Sequence, residues 1–304
     1  MALQLAKLAS GIRKGDRAAL AKGITLAEND PGRAAALLRR FGPPGRAFVL
    51  GVTGPPGTGK SSLVDALIGS YRKEGLKVGV IAVDPTSPLT GGALLGDRVR
   101  MMSHSADRKV FIRSMASRGW SGGLSRAATQ TIRLMDAAGF DMVILETVGI
   151  GQSDIEVVGV SHAVLVVLMP GLGDDIQVSK AGLMEIGDVY VVNKSDLEGA
   201  DPMVVSILSL FRGAKRSPPV LKASALTGEG IEKLVGAVDA VRAKLGSGDR
   251  SVKLRSVRGM IVETARGAAM ARFASVSEKG ADRLAERVLD GDMTVEAAAA
   301  KLSS

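Results

Sequence analysis

Seven short apolar runs, most of them separated by segments with helical periodicity, constrain the fold of this chain more than any other feature. Each run is apolar throughout rather than alternating, which is typical of parallel strands covered on both faces by helices. The pattern predicts an α/β fold with a mostly parallel central sheet flanked by helices. The predicted strands occupy residues 47–52, 78–83, 110–112, 142–145, 163–168, 189–192 and 220–221.

Both ends of the 304-residue chain have helical patterns without strands, and these predict helical extensions of the central fold. Residues 1–45 are expected to form an N-terminal helical arm, with breaks near Gly15 and at the Asp30-Pro31-Gly32 turn. Residues 46–248 hold all seven predicted strands. Residues 249–304 are expected to form a C-terminal helical extension.

The composition excludes several kinds of site. The chain has no cysteine, which rules out disulfides, cysteine-bound zinc, iron–sulfur clusters and cysteine nucleophiles. With two histidines, multi-histidine metal sites are also disfavoured. The apolar runs are much shorter than the roughly 20 residues that span a bilayer. Because the first residues also lack a signal-peptide core, the sequence predicts a cytoplasmic protein without a membrane segment.

The formal net charge of +9 is concentrated at the N-terminus, where residues 1–49 hold nine Lys and Arg but three Asp and Glu. Basic stretches of this kind occur in nucleic-acid-binding proteins. Aromatic residues, which stack on bases, make up only 3% of the chain. We therefore interpret the excess as a basic, solvated helical face and predict no nucleic-acid partner.

A phosphate-binding motif of the form G-x-x-x-x-G-K-[ST] follows the first predicted strand. It consists of Gly54-Pro55-Pro56-Gly57-Thr58-Gly59-Lys60-Ser61, and Ser62 follows it at the start of a predicted helix. The glycines let backbone N–H groups turn towards phosphates, which the positive end of the helix also attracts. Lys60 is predicted to bridge the outer phosphates, and Ser61 to ligate Mg²⁺. Pro55 stands where one class of ATPases carries a second lysine.

Three acidic residues are candidates for magnesium and switch chemistry. Asp84 and Glu146 each follow a predicted strand, and the carboxyl ends of parallel strands face the ligand crevice. In nucleotide switches such an acid reaches Mg²⁺ through water, and a glycine three residues later, here Gly149, contacts the γ-phosphate. Asp97 follows a glycine-rich run typical of a mobile switch. The residues alone leave open a turn or cap role for Asp84 and a surface pair with arginine for Asp97.

Two further segments predict guanine as the base. Asn193-Lys194-Ser195-Asp196 follows the sixth predicted strand and fits the N-K-x-D sequence. The Asp196 carboxylate can accept two hydrogen bonds from guanine, a donor pair that adenine lacks, while Lys194 covers the base plane and Asn193 ties loops together. Ser224-Ala225-Leu226 follows the last predicted strand and is similar to the loop whose backbone contacts the guanine oxygen.

With these motifs in order, nearly the whole chain resembles the MeaB/ArgK GTPases of the SIMIBI class of P-loop NTPases. The most specific shared segment is Glu146-Thr147-Val148-Gly149-Ile150-Gly151-Gln152-Ser153. Other shared segments are residues 54–62, 84–88, 91–101, 173–177, 182–186 and 193–196.

The resemblance implies a GTP-hydrolysing, Mg²⁺-dependent switch that serves as a chaperone of an adenosylcobalamin-dependent acyl-CoA mutase of the methylmalonyl-CoA mutase type. It implies that Asp84, Asp97 and Glu146 act with Lys60 in catalysis and form the magnesium and switch machinery. The switch that couples nucleotide state to the mutase would contain Asp174, Gln177 and Lys180. The resemblance also implies a homodimer built partly by the C-terminal helices, and a cobalamin carried by the mutase rather than by this chain.

Other functions remain open at this point. One is a kinase linked to basic amino-acid transport, which would need an acceptor pocket and a catalytic base that the sequence does not reveal. Another is a metal-delivery GTPase of the same fold, against which the missing His and Cys clusters argue. A third is a binding module without turnover. No general base or arginine finger is evident, although Arg98 and Arg100 are candidates for the latter.

Overall fold

A computed structural model of the chain describes residues 2–43, 45, 47–84, 102–116, 123–147, 159–171, 184–214, 216–246 and 278–303, with single positions between 254 and 269. Five of the predicted site residues lie outside these ranges: Asp97, Gly149 and the three residues of the predicted coupling switch, Asp174, Gln177 and Lys180.

Seven parallel strands form one sheet in the order β3-β2-β4-β1-β5-β6-β7. The predicted α/β fold with a parallel central sheet is thus confirmed. All seven predicted strands are present, with ends shifted by a few residues at most. The strands are β1 (Phe48–Thr53), β2 (Val78–Asp84), β3 (Val110–Ala116), β4 (Met142–Glu146), β5 (Ala163–Leu168), β6 (Val189–Val192) and β7 (Val220–Lys222).

Strand β3 is longer than predicted. Its apolar run ends at Ile112, and the polar residues Arg113 and Ser114 obscured the rest of the strand. The strand nevertheless pairs with β2 along its whole length, from Val78 opposite Val110 onwards. Since β3 is the edge strand, it tolerates polar side chains, and Arg113 forms an ion pair with Glu28 of an N-terminal helix.

Nine α-helices are assigned in the described part of the chain. Three precede the sheet, four lie between or after its strands, and two form the C-terminal end, where they pack on each other. They are α1 (Ala2–Arg13), α2 (Arg17–Asn29), α3 (Pro31–Leu38), α4 (Lys60–Lys73), α5 (Gly123–Ala137), α6 (Ala200–Leu210), α7 (Ile231–Gly246), α8 (Glu278–Leu289) and α9 (Val295–Ser303).

Side chains that alternate along the central strands enter two different hydrophobic clusters. On one face, Val49 and Val143 join a cluster that contains Ile12, Ile24 and Leu37 of the N-terminal helices, together with residues of α5. On the other face, Leu50 and Ile144 pack with α4 and α7. Helices therefore cover both faces of the sheet, and α1–α3 are part of the cover.

Short polar residues delimit the N-terminal helices. The Asp16 carboxylate accepts a hydrogen bond from the backbone N–H of Ala18 at the start of α2. Asp30 does the same for Arg33 of α3, where Pro31 occupies the first turn. In the part of the chain that the structure describes, none of the helices combines the length and the hydrophobicity needed to cross a bilayer.

Candidate nucleotide-binding site

The predicted site lies at the carboxyl ends of the strands, where β1 leads through residues 54–59 into α4. Because the sheet is parallel, the ends of β1, β4 and β6 lie at the same edge. Val52 of β1 is opposite Glu146 of β4, which brings the phosphate loop and that carboxylate together. The phosphate loop, Glu146 and the N-K-x-D segment are therefore neighbours in space, although more than 100 residues separate the first from the last.

Two glycines of the loop are required by its backbone. Gly54 has φ +145°, and a Cβ at this position would lie 2.0 Å from the carbonyl oxygen of Val167. Gly59 has φ +83°, and a Cβ there would lie 2.5 Å from Nδ2 of Asn193. Gly59 also precedes α4 without providing a side-chain cap. The first N–H groups of this helix thus face the loop, an arrangement that suits an anion.

Lys60 is folded into the loop. Its side chain is buried, and Nζ donates hydrogen bonds to the carbonyl oxygens of Gly54 (2.8 Å) and Pro55 (3.0 Å). The Thr58 hydroxyl donates to the same Pro55 carbonyl oxygen at 2.9 Å. These bonds hold a positive charge inside the loop, where it would lie close to a bound phosphate.

Ser61 and Glu146 meet at the base of the loop. The Ser61 hydroxyl donates a hydrogen bond of 2.6 Å to Oε1 of Glu146, and the two residues are 5% and 2% exposed. A hydroxyl and a carboxylate are oxygen ligands of the kind that Mg²⁺ prefers, directly or through water. The pair therefore fits a magnesium ion bound next to the phosphate loop.

The other predicted magnesium residues are only partly described. Asp84 is the last residue of β2, at the same edge of the sheet as Glu146, because Ala82 is opposite Glu146 in the β2–β4 pairing. Its side chain lies outside the described part of the structure, as does the whole of Asp97. Within the described residues, no three His, Cys, Asp or Glu side chains form a cluster that could hold a metal ion.

Asn193 joins the phosphate loop to the last loop of the site. Its Nδ2 donates to the carbonyl oxygen of Thr58 at 2.8 Å, and its Oδ1 accepts from the backbone N–H of Ala225 at 3.1 Å. The side chain is almost fully buried. Asn193 thus links the phosphate loop to the segment that follows β7.

Lys194 follows with an unusual backbone. Its φ is +57°, and among the described residues it is the one non-glycine residue with a positive φ. Its Cε lies 3.9 Å from the position that a Cβ would take on Gly59. The stem of the lysine therefore lies against the phosphate loop, next to the place predicted for a base.

Asp196 is exposed and its carboxylate is kept ionised. The Ser224 hydroxyl, followed by the backbone N–H of Asp196 itself, holds the pKa of this carboxyl below its ordinary value of 3.8. Ser224 is fully buried, whereas Leu226 is 88% exposed. The structure thus brings Ser224 and Ala225 together with the N-K-x-D segment, and leaves the Leu226 side chain in solvent.

Two buried threonines at the root of the site had no predicted role, although Thr147 lies in the shared segment that begins at Glu146. The hydroxyl of Thr147, next to Glu146, donates to that of Thr53, the last residue of β1, at 3.2 Å. Both residues are buried. Threonine is common in strands, so this pattern carried no functional signal.

The fold and the order of these loops define a P-loop NTPase with loops of the guanine-binding type. Residues 20–288 match the family model described as "Methylmalonyl Co-A mutase-associated GTPase MeaB". A GTPase of Pyrococcus horikoshii is 50% identical over 236 residues, which cover 75% of this chain and 74% of that protein. The GTPase ArgK of Escherichia coli is 39% identical over 264 residues, covering 83% and 80%.

Among solved structures, that of an LAO/AO transport system kinase matches with a TM-score of 0.72 and 30% identity, over 99% of this chain and 97% of the other. The match includes the helices before and after the sheet. The chain belongs to the MeaB family of GTPases, as the resemblance of its motifs predicted.

Proposed function

We propose that the chain is a Mg²⁺-dependent, GTP-hydrolysing switch that acts as a chaperone of an adenosylcobalamin-dependent acyl-CoA mutase of the methylmalonyl-CoA mutase type. The observation that carries the switch is the 2.6 Å contact of Ser61 with Glu146, which links the phosphate loop to the end of β4. The mutase is supported by the description of the family to which the chain belongs.

In this proposal Gly54–Ser62 form the phosphate site. The backbone N–H groups of the loop bind phosphate oxygens, and Lys60 neutralises the charge that develops on them during hydrolysis. Ser61 and Glu146, with Asp84 and Asp97, would hold Mg²⁺. When bound there, the ion would supply charge neutralisation for the phosphates.

The base would be read by the loops after β6 and β7. Asp196 is kept ionised and exposed, ready to accept two hydrogen bonds from a guanine. Asn193 connects the phosphate loop to Ala225, and the neighbouring Ser224 hydrogen-bonds the Asp196 carboxylate. The Ser224-Ala225-Leu226 segment and Asn193 would thus position this carboxylate relative to the phosphate loop. Adenine would leave the carboxylate without its donors and is therefore disfavoured.

Nucleotide state would reach the mutase through the predicted switch residues. Gly149 is proposed to contact the γ-phosphate, and Asp174, Gln177 and Lys180 to couple that contact to the partner. We also propose that residues 249–304 contribute to a homodimer, that the mutase carries the cobalamin, and that the protein acts in the cytoplasm. Residues 1–45 and 46–248 would then be the helical extension and the GTPase domain.

The test is protection of the mutase during turnover. A candidate acyl-CoA mutase is allowed to inactivate with substrate, alone or with this chain and either GTP or GDP. The proposal predicts slower inactivation with GTP and wild-type chain, and none of this protection with Lys60→Ala. Lys73→Ala, an exposed lysine on the same helix, is the matched control and should protect like wild type. Equal protection by Lys60→Ala would contradict the assigned site.

A phosphotransferase is the second candidate, because the structurally similar protein is titled a transport system kinase. The two functions differ in the fate of the γ-phosphate. Incubation with γ-labelled GTP and candidate basic amino acids should release labelled inorganic phosphate if the chain is a switch. Label recovered in a small organic acceptor would favour the kinase.

A further inference from the structure

A pair of threonine hydroxyls is buried at the point from which the phosphate loop and the Glu146 segment both start. Thr53 is the last residue of β1, and Thr147 directly follows β4. They are 0% and 2% exposed, and the Thr147 hydroxyl donates to Oγ1 of Thr53 at 3.2 Å. Each of these residues is one peptide bond away from a predicted functional residue, Gly54 or Glu146.

The backbone strengthens this connection. The N–H of Thr147 donates to the carbonyl oxygen of Val52 at 3.1 Å, which continues the β1–β4 pairing one residue past Glu146. Thr147 is therefore fixed to β1 by its main chain and by its side chain. Because Glu146 is the last residue of β4 and directly precedes this double attachment, its backbone has little freedom to rotate.

The hydroxyl groups, rather than the shape of the side chains, explain why threonine occupies both positions. Valine has the same shape as threonine and a similar preference for strands, so packing alone does not require threonine twice. A buried hydroxyl costs free energy unless it is hydrogen-bonded, and here the Thr147 hydroxyl donates to Thr53 and also lies 3.5 Å from the carbonyl oxygen of Val52, both on β1. Their bond thereby selects one arrangement of the two strand ends.

We infer that Thr147, held by Thr53, is a positioning residue for magnesium binding: it sets the Glu146 carboxylate against the Ser61 hydroxyl. The inference rests on the proposed function, in which Ser61 and Glu146 hold the ion. The 2.6 Å contact of Ser61 with Glu146 spans two elements, α4 and β4, whose relative position depends on how β1 and β4 end. In this proposal Thr147 acts through Glu146 and is not itself a ligand of the ion.

The experiment compares Thr147→Val, Thr147→Ser and Thr53→Val with wild type by titration calorimetry of GDP, at increasing Mg²⁺ and in excess EDTA. Thr147→Val should raise the Mg²⁺ concentration that gives half of the Mg²⁺-dependent gain in GDP affinity by about tenfold, the equivalent of one buried hydrogen bond. Its GDP affinity in EDTA should equal that of wild type. Thr147→Ser keeps the hydroxyl and should restore the wild-type Mg²⁺ dependence.

The double variant Thr53→Val/Thr147→Val tests the pairing and guards against a folding defect, since it leaves no hydroxyl unsatisfied. It should need as much Mg²⁺ as Thr147→Val alone, because Thr147→Val already breaks the bond between the two hydroxyls. An unchanged Mg²⁺ dependence in folded Thr147→Val, or an equal loss of affinity in EDTA, would overturn the positioning role while leaving the GTPase proposal intact. Wild-type protein that binds no GDP would overturn both.

Discussion

Single side chains join loops that are far apart in the sequence. Asn193 spans from the carbonyl oxygen of Thr58 to the N–H of Ala225, a bridge of two hydrogen bonds with its amide almost fully buried. Ser224 acts on Asp196 in the same way, by a hydrogen bond that favours the ionised carboxylate. Both residues belong to short motifs, which is why the sequence predicted them. Their order in the chain made a match of a few residues informative.

The contact of Thr53 with Thr147 could not be predicted from the sequence. A threonine at a strand end is usual, and no spacing rule relates residues 53 and 147. Their contact depends on the register of β1 with β4, which the sequence does not reveal. The Ser61–Glu146 contact depends on the same register but was found, because each residue has its own motif.

Asp196→Asn should change the base that the site accepts. An amide can donate a hydrogen bond where the carboxylate only accepts, so it matches the extra carbonyl of xanthine instead of the guanine amino group. We expect GTP affinity to fall by about a hundredfold and XTP to become the better ligand. Competition of both nucleotides against a fluorescent GDP analogue measures this.

Glu198→Gln is the control, since this exposed acid lies two residues away and should keep the preference for GTP. A variant Asp196→Asn that still preferred GTP over XTP would show that Asp196 does not contact the base.

At the scale of elements, α4 and α7 pack on the same face of the sheet and on each other, and their interface contains two polar groups. Burial raises the pKa of the Tyr71 hydroxyl, which therefore stays neutral. Burial also raises the pKa of Asp239 on α7, although Arg242 one turn later works in the opposite direction. Among the described residues, neither the Tyr71 hydroxyl nor Oδ1 of Asp239 has a hydrogen-bond partner. The ionised Asp239 is thus a cost to the folded state.

Asp239→Asn should stabilise the protein at neutral pH. Folding raises the pKa of the Asp239 carboxyl above its ordinary value of 3.8. The folded protein therefore loses stability as the pH rises from this ordinary pKa towards the pKa in the folded state. The asparagine carries no charge, so its melting temperature should exceed that of wild type at pH 7, and the gap should close below about pH 4. Thermal unfolding at a series of pH values is the measurement.

Glu232→Gln, an exposed acid on the same helix, should have little effect at any of these pH values. A lower melting temperature for Asp239→Asn at pH 7 would mean that the Asp239–Arg242 attraction outweighs the cost of burial.

The strands were the most predictable elements because their apolar runs are continuous rather than alternating. The end of β3 was less predictable from the sequence, because its edge position and the ion pair of Arg113 with Glu28 are features of the tertiary structure. The phosphate motif requires a helix directly after it, which placed the predicted start of α4 at Ser62, and the helix begins two residues earlier, at Lys60.

At the scale of the whole molecule, the N-terminal helices share one hydrophobic cluster with the sheet. The exposed charged residues of positions 2–43 are basic except Asp16, which caps α2, while Glu28 and Asp30 are engaged with arginines. The net charge predicted a basic helical face there. The sequence periodicity of these helices identified their apolar faces but did not reveal that these faces pack against the sheet.

Ile24→Ala should destabilise the whole GTPase fold rather than a separate arm. Ile24 is fully buried in the shared cluster, and deletion of such a side chain typically costs about 2–5 kcal/mol of unfolding free energy. We expect a single unfolding transition in denaturant, followed in parallel by circular dichroism and by release of bound GDP. Leu3→Ala is the control, because Leu3 is 72% exposed. Two separate transitions would mean that the helices fold independently.

The measurement that tests the central claim most directly is the rate of GTP hydrolysis by the full chain with and without a candidate acyl-CoA mutase. We predict slow hydrolysis by the chain alone, a several-fold acceleration by its mutase, and neither activity in Lys60→Ala. A hydrolysis rate that no acyl-CoA mutase alters would contradict the account.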